Sequence, residues 1–308
     1  MTEEATARVN ATMLRCPRCG ARVDAGDEPL RCAGCGRVFP LVRSVARFVD
    51  DTHYAGSFGF QWKRFATVQL DSANGTTRSL DTFVAKTGWR TEELRGERVL
   101  DAGCGMGRFT EVCCDAGAEV HAVDLSEAVE VAAHNLVDRP NAFFYQADIF
   151  DLPFREASFD RVFSIGVLHH TPNTKAAFQQ LVRLVRPGGH IAIWVYRARL
   201  RLLIGSELLR VVTTRLPRPF MLRAARIAIP LYYVHRIPAI GRVTSIVLPT
   251  SMERDPLWRW LDTFDWYTPR FQWKHSTDEV IGWFREAGLV DIRIGEFPVS
   301  VSGRKPLR

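Results

Sequence analysis

The chain of 308 residues has no uninterrupted apolar run of the roughly 20 residues that a helix needs to cross a bilayer. Its first ten residues are polar and lack the apolar core of a secretory signal. We therefore expect a cytoplasmic protein without a transmembrane span. With 46% hydrophobic and 24% charged residues, the composition is that of a globular protein, and the length accommodates one large domain with a small appendage.

Acidic side chains are nearly missing from residues 197–249, which hold ten arginines and a single acid, Glu207. Residues 97–196, in contrast, carry thirteen acids against eight bases, so the formal net charge of +7 comes from one segment rather than from the whole surface. A segment of this kind attracts phosphate or carboxylate groups, although its arginines can equally serve solubility.

A glycine is missing where the dinucleotide fingerprint G-x-G-x-x-G requires its third, because position 108 holds arginine. The chain has G-x-G-x-G instead, at Gly103, Gly105 and Gly107, with Asp101 two positions before the first glycine. Glycine lets the backbone approach a ligand closely and adopt positive φ. Because an apolar segment precedes these glycines, the pattern predicts a nucleotide-type cofactor at the ends of parallel strands, but not a dinucleotide.

Carboxylates also end the next two apolar segments. Asp124 follows the second predicted strand, and its side chain can accept hydrogen bonds from both hydroxyls of a ribose. Asp148 follows the third, with Asp151 as a nearby competitor for the same role. A fourth predicted strand, at about 161–165, leads into a loop with two adjacent histidines.

The glycine motif, the two carboxylates and the pattern FDxVxSxxVLHH…LVRPGG resemble the class I S-adenosylmethionine (SAM) dependent methyltransferases. Within them the chain is most similar to the type 11, ubiquinone- and menaquinone-methyltransferase-like branch, over about residues 97–196. The resemblance implies a Rossmann-like three-layer α/β sandwich with a seven-stranded, mostly parallel sheet. It implies that Asp148 bonds the adenine amino group and that the amide of Ile149 meets the ring. The residues implied to bind SAM are Asp101, Gly103, Cys104, Gly105, Gly107, Asp124, Leu125, Asp148, Ile149 and Ser164.

The histidine loop supplies the candidate catalytic residues, His169 and His170. In similar enzymes the loop after the fourth strand lies beside the donor methyl, and an imidazole can take a proton from the acceptor. The alternative is a packed or capping histidine. Further along the chain, Tyr267 and His275 are other candidate bases.

Four cysteines, Cys16, Cys19, Cys32 and Cys35, follow the spacing C-x2-C-x12-C-x2-C. Four thiolates suit tetrahedral zinc, and a closed S4 site leaves no open coordination position, so we interpret the zinc as structural. A disulfide pair or a redox CxxC is the alternative. The segment resembles the Trm112-like zinc ribbons that precede many bacterial methyltransferase domains. The other cysteines, Cys104, Cys113 and Cys114, lack ligand spacing and are expected to be packed.

These patterns divide the chain into a zinc ribbon at 1–50, an aromatic linker with N-terminal helices at 51–96 and a methyltransferase domain at 97–308 with a helical lid insertion at 197–270. Helices are expected within the lid at 200–215, 219–236 and 252–262. The lid and linker also supply the candidate substrate contacts, which are Tyr54, Trp62, Tyr267, Gln272 and His275.

The leading hypothesis is methyl transfer to a small-molecule acceptor such as a secondary metabolite, a glycan precursor or a quinone-like compound. One alternative is an rRNA or tRNA methyltransferase that uses the ribbon and the basic insertion. Another is a non-catalytic zinc-ribbon interaction protein. The lid could form a hydrophobic tunnel, an anion funnel, a peripheral membrane contact, or a solvated cap that covers the domain or a partner.

Overall fold

The computed structural model describes residues 10–24, 29–49, 56–198 and 209–307. The strands are β1 Val23–Asp24, β2 Leu30–Cys32, β3 Val38–Phe39, β4 Leu41–Val42, β5 Val45–Arg47, β6 Arg98–Ala102, β7 Glu119–Asp124, β8 Ala142–Gln146, β9 Phe159–Ile165, β10 Val185–Trp194, β11 Val290–Ile294 and β12 Ser300–Arg304. The helices are α1 Gly56–Arg64, α2 Asp71–Asn74, α3 Arg78–Thr87, α4 Arg108–Asp115, α5 Ala128–Asn135, α6 Thr174–Leu184, α7 Arg218–Ala225, α8 Ala228–His235, α9 Ile240–Val247, α10 Pro256–Tyr267 and α11 Thr277–Glu286.

The main sheet of the described residues has nine strands in the order β11-β12-β10-β9-β6-β7-β8-β5-β4. Its strands from β10 to β5 run parallel, and the pairs β10/β12, β11/β12 and β4/β5 are antiparallel. Seven of these strands form the predicted methyltransferase-like sheet. The predicted count of seven is two too low because residues 41–47 pair with the edge of β8 and extend the sheet.

The N-terminal segment is joined to this sheet rather than attached as a separate unit. Strands β1, β2 and β3 form their own small sheet, but Leu14 bridges to Phe154 of the main domain. Leu14, Val23 and Phe39 belong to the same buried cluster as Phe154 and Phe159. The expected boundary at residue 50 therefore needs correction, because β4 and β5 are part of the main sheet and the ribbon shares its core.

The order in which successive strands are added to the sheet reverses at β6, and this reversal creates a crevice at the carboxyl ends of the strands. Strand β6 lies between β7 on one side and β9 on the other, all three parallel. The connections on the two sides therefore lead away from each other, and the carboxyl ends of the three strands open into a gap. Four of the five residues of β6 are buried, as expected for a strand that is covered on both faces.

Helices α7 to α10 are called the lid below; α10 lines this crevice through Trp258, Asp262 and Asp265, and α7 and α8 pack on α10. Their own core consists of Met221, Trp260, Leu261 and Phe264, packed with Phe65 from the segment after α1. The predicted lid helix at 219–236 is broken after Ala225, and the helix at 240–247 was not predicted. No helix in the described part of the chain combines the length and the apolar character needed to span a bilayer.

Candidate functional site

A cavity of about 900 Å³ lies between the carboxyl ends of the central strands and the lid. Its floor includes six of the residues predicted to bind the cofactor, namely Gly103, Cys104, Gly105, Asp124, Leu125 and Ile149. His170, Trp62, Tyr267 and Gln272 also line it. The structure thus brings together, in one space, most of the groups that the sequence pattern singled out. Tyr54 lies outside the described residues.

The glycine loop, residues 103–107, requires two of its glycines. Gly103 has a φ of +93°, and a Cβ placed there would run into the side chain of Val167. Gly105 has a φ of +54°, and an added Cβ would lie 3.1 Å from the indole nitrogen of Trp62. Only glycine therefore keeps this loop in its turn and leaves its backbone open to the cavity.

The carboxylate of Asp124 ties the second strand to the glycine loop. It accepts hydrogen bonds from the backbone N–H of Gly105 at 3.0 Å and from the N–H and hydroxyl of Ser126 at 2.8 and 2.7 Å. The side chain also lines the cavity. Its position is therefore fixed from two sides, by the glycine loop and by Ser126.

Two predicted cofactor residues lie behind the loop instead of at the cavity. Asp101 is buried and accepts a hydrogen bond of 2.7 Å from the hydroxyl of Thr110. Burial raises the pKa of Asp101 to about 7, with a further contribution from the charge of Asp124. Ser164 donates a 2.7 Å hydrogen bond to the carbonyl oxygen of Ala102. Both residues hold neighbouring strands and loops in place and do not line the cavity.

Gly107 and Asp148 likewise shape the backbone. Gly107 precedes α4 with a φ of +96°, and a Cβ there would lie 3.0 Å from Leu136. Asp148 accepts a hydrogen bond from the N–H of Phe150 at 3.0 Å and so begins a short helical turn. The cavity wall at this point is formed by the flanking residue Ile149.

His170 is the histidine that reaches the cavity. Its Nδ1 lies 2.8 Å from the carbonyl oxygen of Phe271, which can only accept a hydrogen bond, so Nδ1 carries the proton. The other ring nitrogen, Nε2, is then an acceptor, and it is buried without a partner among the described residues. Burial lowers the pKa of His170, while the charge of Asp265 opposes that shift. The side chain is thus a neutral imidazole with a free lone pair.

His169 does not reach the cavity. Its ring is fully buried, stacks on Tyr196 with centroids 3.8 Å apart and lies against His170. Burial lowers the pKa of His169 well below the usual value, and the charge of His170 contributes to that shift. Of the two predicted bases, the geometry therefore leaves His170.

His275 is also removed from the candidate substrate contacts. Its ring nitrogens lie 3.0 Å from the carboxylate of Glu279 and 3.0 Å from the hydroxyl of Thr174, so both are occupied. Tyr267 and Gln272 stay at the cavity wall, where the tyrosine hydroxyl donates a 2.6 Å hydrogen bond to the carbonyl of Pro249.

Five cationic residues that were not predicted line the cavity, namely Arg78, Lys86, Arg108, Arg197 and Lys274, and burial lowers the pKa of two of them. The ammonium of Lys86 lies 3.4 Å from the ring centroid of Trp194, and burial lowers its pKa to about 7. Arg108 donates to the hydroxyls of Ser79 and Thr82 at 2.9 and 3.2 Å, and burial lowers its pKa to about 10. The sequence signal for a cation at the cavity was Arg108, because this arginine stands beside the glycine loop where the dinucleotide fingerprint has its third glycine.

The lid contributes two half-buried carboxyl groups, Asp262 and Asp265, which lie three residues apart on α10 and both line the cavity. Burial raises the pKa of Asp262 to about 7, helped by the charge of Asp265. Burial also raises the pKa of Asp265, whose oxygens lie 3.4 Å from the amide nitrogen of Gln61 and 3.4 Å from the hydroxyl of Tyr196. Their spacing of one helical turn was visible in the sequence, but the face that they occupy was not.

The four N-terminal cysteines come together as predicted. Their sulfur atoms all lie within 4.8 Å of one another, and the N–H groups of Gly34 and Cys35 point at the sulfur of Cys32 at 3.4 Å. Four sulfurs about 2.3 Å from a tetrahedral ion would be separated by about 3.8 Å, so the cluster has the right dimensions for a metal. Cys104, Cys113 and Cys114 are buried apart from it, as expected for packed residues.

Comparison with known proteins identifies the class of the central domain. Residues 100–193 match the methyltransferase-domain family. A demethylmenaquinone methyltransferase of Clavibacter sepedonicus is 33% identical over 132 residues, which are 41% of this chain and 54% of that protein. A malonyl-[acyl-carrier protein] O-methyltransferase of Enterobacter lignolyticus is 37% identical over 115 residues, which are 37% of this chain and 43% of that protein. A solved SAM-dependent methyltransferase of Mesorhizobium loti aligns at 20% identity with a TM-score of 0.44, over 69% of this chain and 93% of its own.

The chain spans about half the length of the curated relatives that it matches. The family match at residues 100–193 covers β6 to β10, which form the floor of the cavity, and leaves out the ribbon and the lid. Residues 100–193 thus match a methyltransferase-domain family and have a Rossmann-like α/β fold, and this part of the resemblance is confirmed.

Proposed function

We propose that this protein is a SAM-dependent methyltransferase that acts on a small molecule bound between the glycine loop and the lid. The observation that carries the proposal is the cavity of about 900 Å³, which joins the predicted cofactor residues to a second set of polar and aromatic groups from the lid. Its volume lies near the upper end of the range for small-molecule sites, which leaves space for a second ligand beside a cofactor.

The residues on the floor fit the methyl donor. Gly103 and Gly105 leave open a cradle that a Cβ would fill, and Asp124 stands at the strand end where a ribose is bound in this fold. Backbone at Leu125 and Ile149 forms the neighbouring wall, suited to the apolar faces of an adenine ring. When bound, SAM supplies a methyl group on a positively charged sulfur that is already activated toward displacement.

The residues above the floor fit an acceptor. Trp62, Trp258, Trp266 and Tyr267 give this part of the wall an aromatic character, while Lys86 and Asp265 add charged groups. These residues would hold the acceptor atom in line with the carbon–sulfur bond that breaks. Such alignment lowers the activation barrier of methyl transfer by proximity and orientation.

His170 is the proposed general base. Its free Nε2 lone pair can receive the proton of a hydroxyl or amine acceptor as the new bond to the methyl carbon forms. With SAM bound, the leaving sulfur would keep the electron pair of the broken bond, and the proton would later pass from His170 to water. The hydrogen bond from Nδ1–H to Phe271 keeps the imidazole in the tautomer that this role requires.

The cysteine cluster is proposed to hold one structural zinc ion. All four ligand positions are filled by protein sulfurs, so the ion would have no open position for a reactant. Its role would be to fold the ribbon against the main core, because a segment of this size buries little apolar surface of its own.

The proposal is tested by incubating the purified protein with methyl-labelled SAM and a cell extract, then separating small molecules from RNA and protein. Label in the small-molecule fraction, absent when His170 is replaced by glutamine, is the expected result. Label in the RNA fraction would contradict the proposed substrate class and support the RNA alternative.

A further inference from the structure

The lid carries an unusual concentration of exposed apolar side chains. Of the twenty large apolar residues exposed among those described, eleven lie between residues 211 and 252. Six of them come from α8, α9 and the turn between these two helices, which pack on each other. We call these six the apolar patch; they are Tyr233, Ile237, Ile240, Val243, Ile246 and Val247.

Helix α9 exposes its apolar face to solvent, whereas an ordinary surface helix buries its apolar face. Ile240, Val243 and Val247 recur at intervals of three and four, so they share one face, and Val243 is 63% exposed. Gly241 lies on the other face, where an added Cβ would run into the backbone carbonyl of His235. The helix therefore turns its small side toward the protein and its aliphatic side outward.

The segment of chain that forms the patch carries positive charges and no acidic residues. Arg236 and Arg242 lie within the same stretch of chain and are exposed. No Asp or Glu occurs from residue 208 to residue 252, which contains seven arginines. A surface that combines aliphatic side chains with arginines and no acids matches the interface of an anionic bilayer, where the apolar groups enter the acyl region and the arginines meet phosphate.

Two other occupants fit this surface less well. A second copy would bring arginines against arginines, because the segment offers no acids to oppose them. An RNA strand would leave the aliphatic side chains in water, since bases stack on aromatic rings and Tyr233 is the one aromatic residue of the patch.

We propose that the apolar patch and its flanking arginines bind the surface of an anionic lipid membrane, with the lid facing the bilayer. This inference is independent of the methyl-transfer proposal. A peripheral contact of this kind needs no membrane-spanning segment, because exposed side chains and charge supply the affinity.

The test is co-sedimentation of the full-length protein with vesicles of phosphatidylcholine alone and of phosphatidylcholine mixed equally with phosphatidylglycerol. We expect binding to the mixed vesicles that weakens as salt is raised. Replacing two patch residues, Ile240→Ser with Val243→Ser, should weaken it by about tenfold or more. Replacing Arg236→Gln with Arg242→Gln should reduce the preference for anionic vesicles.

The matched control is Ile294→Ser with Leu307→Ser, which removes equally exposed apolar side chains outside the lid and should leave vesicle binding unchanged. All of these side chains are exposed, so thermal unfolding should be unaffected, and this is measured in parallel. Failure to sediment with anionic vesicles, or equal loss in the patch and control variants, would overturn the proposal. The proposal would also be overturned if the patch variant abolished a dimer or an RNA complex while vesicle binding stayed intact.

Discussion

The Nδ1 atom of His170 lies 2.8 Å from the carbonyl oxygen of Phe271, although the two residues are 101 positions apart in the chain. This contact joins the loop after β9 to the segment that follows the lid. It fixes both the orientation and the tautomer of the imidazole, and it leaves Nε2 as the unprotonated, unpartnered nitrogen of a side chain that lines the cavity. The candidate base is therefore positioned by the end of the lid, and not by its own loop alone.

Replacing His170→Gln should lower kcat by a factor of about 10² to 10⁴ while leaving the affinity for SAM unchanged, because the base acts on the acceptor. Burial lowers the pKa of His170, so the free base persists below pH 6.5 and the acid limb of the wild-type rate should lie beneath that value. That limb should vanish in the variant. The matched control is His275→Gln, which changes an equally buried histidine away from the cavity and should keep kcat. Equal rates for His170→Gln and the wild type would remove the assignment.

Replacing Gly103→Ala should lower the free energy of unfolding by about 2 to 4 kcal/mol and weaken SAM binding. The positive φ and the collision with Val167 both oppose a side chain at this position. Gly282→Ala is the control, because Gly282 lies inside α11 with no atom within 4 Å of an added Cβ. That change should raise the free energy of unfolding by about 0.5 to 1 kcal/mol, as expected when alanine replaces glycine in a helix. Chemical denaturation and calorimetry measure the two effects, and an unaltered Gly103→Ala protein would argue against the close-packed loop.

Replacing Asp262→Asn should stabilise the protein more at pH 8 than at pH 5. The folded pKa of about 7 lies above the unfolded value of about 3.9, so between these values the folded protein holds a proton that the unfolded chain has lost, and stability falls as the pH rises from about 3.9 to about 7 and levels off above pH 7. The asparagine avoids that cost and still can accept from the hydroxyl of Ser251. We expect the advantage of the variant to fall by about 2 to 3 kcal/mol from pH 8 to pH 5. If the stability advantage of Asp262→Asn were the same at pH 5 and pH 8, Asp262 would be ionised in the folded protein over that whole range.

Purified protein should contain one zinc ion per chain by elemental analysis, and Cys32→Ser should lose it. The melting temperature of the whole domain should fall with the metal, because Leu14 and Phe39 share their core with Phe154. Cys114→Ala serves as the control, since this cysteine is buried away from the cluster and should leave the zinc content at one ion per chain. Full zinc occupancy in Cys32→Ser would contradict a four-sulfur site.

Short-range patterns made the cofactor half of the fold predictable. The strand, the glycines and Asp124 lie within about two dozen residues, and their spacing alone fixes their positions at one sheet edge. Strands β4 and β5 were missed as parts of the main sheet because two or three residues show no periodicity. The break after Ala225 and the helix at 240–247 were missed because the surroundings of the lid, and not its sequence period, decide where its helices end.

Long-range contacts limited the prediction of the site. The sequence offered His169 and His170 as equals, and only the fold shows that one stacks inside the core while the other reaches the cavity. His275 was placed near the substrate by its position in the chain, yet Glu279 and Thr174 occupy its ring. Lys86 gave no local signal, because its neighbour Trp194 lies on a distant strand.

The central claim is that the loops at 103–107 and 124–125 bind the methyl donor, and isothermal titration with SAM and with its demethylated product tests it most directly. We predict one site per chain for both compounds, with affinity lowered about tenfold or more in Asp124→Asn, since a charged hydrogen-bond acceptor is lost. Absence of measurable binding of either compound to the folded wild-type protein would contradict it.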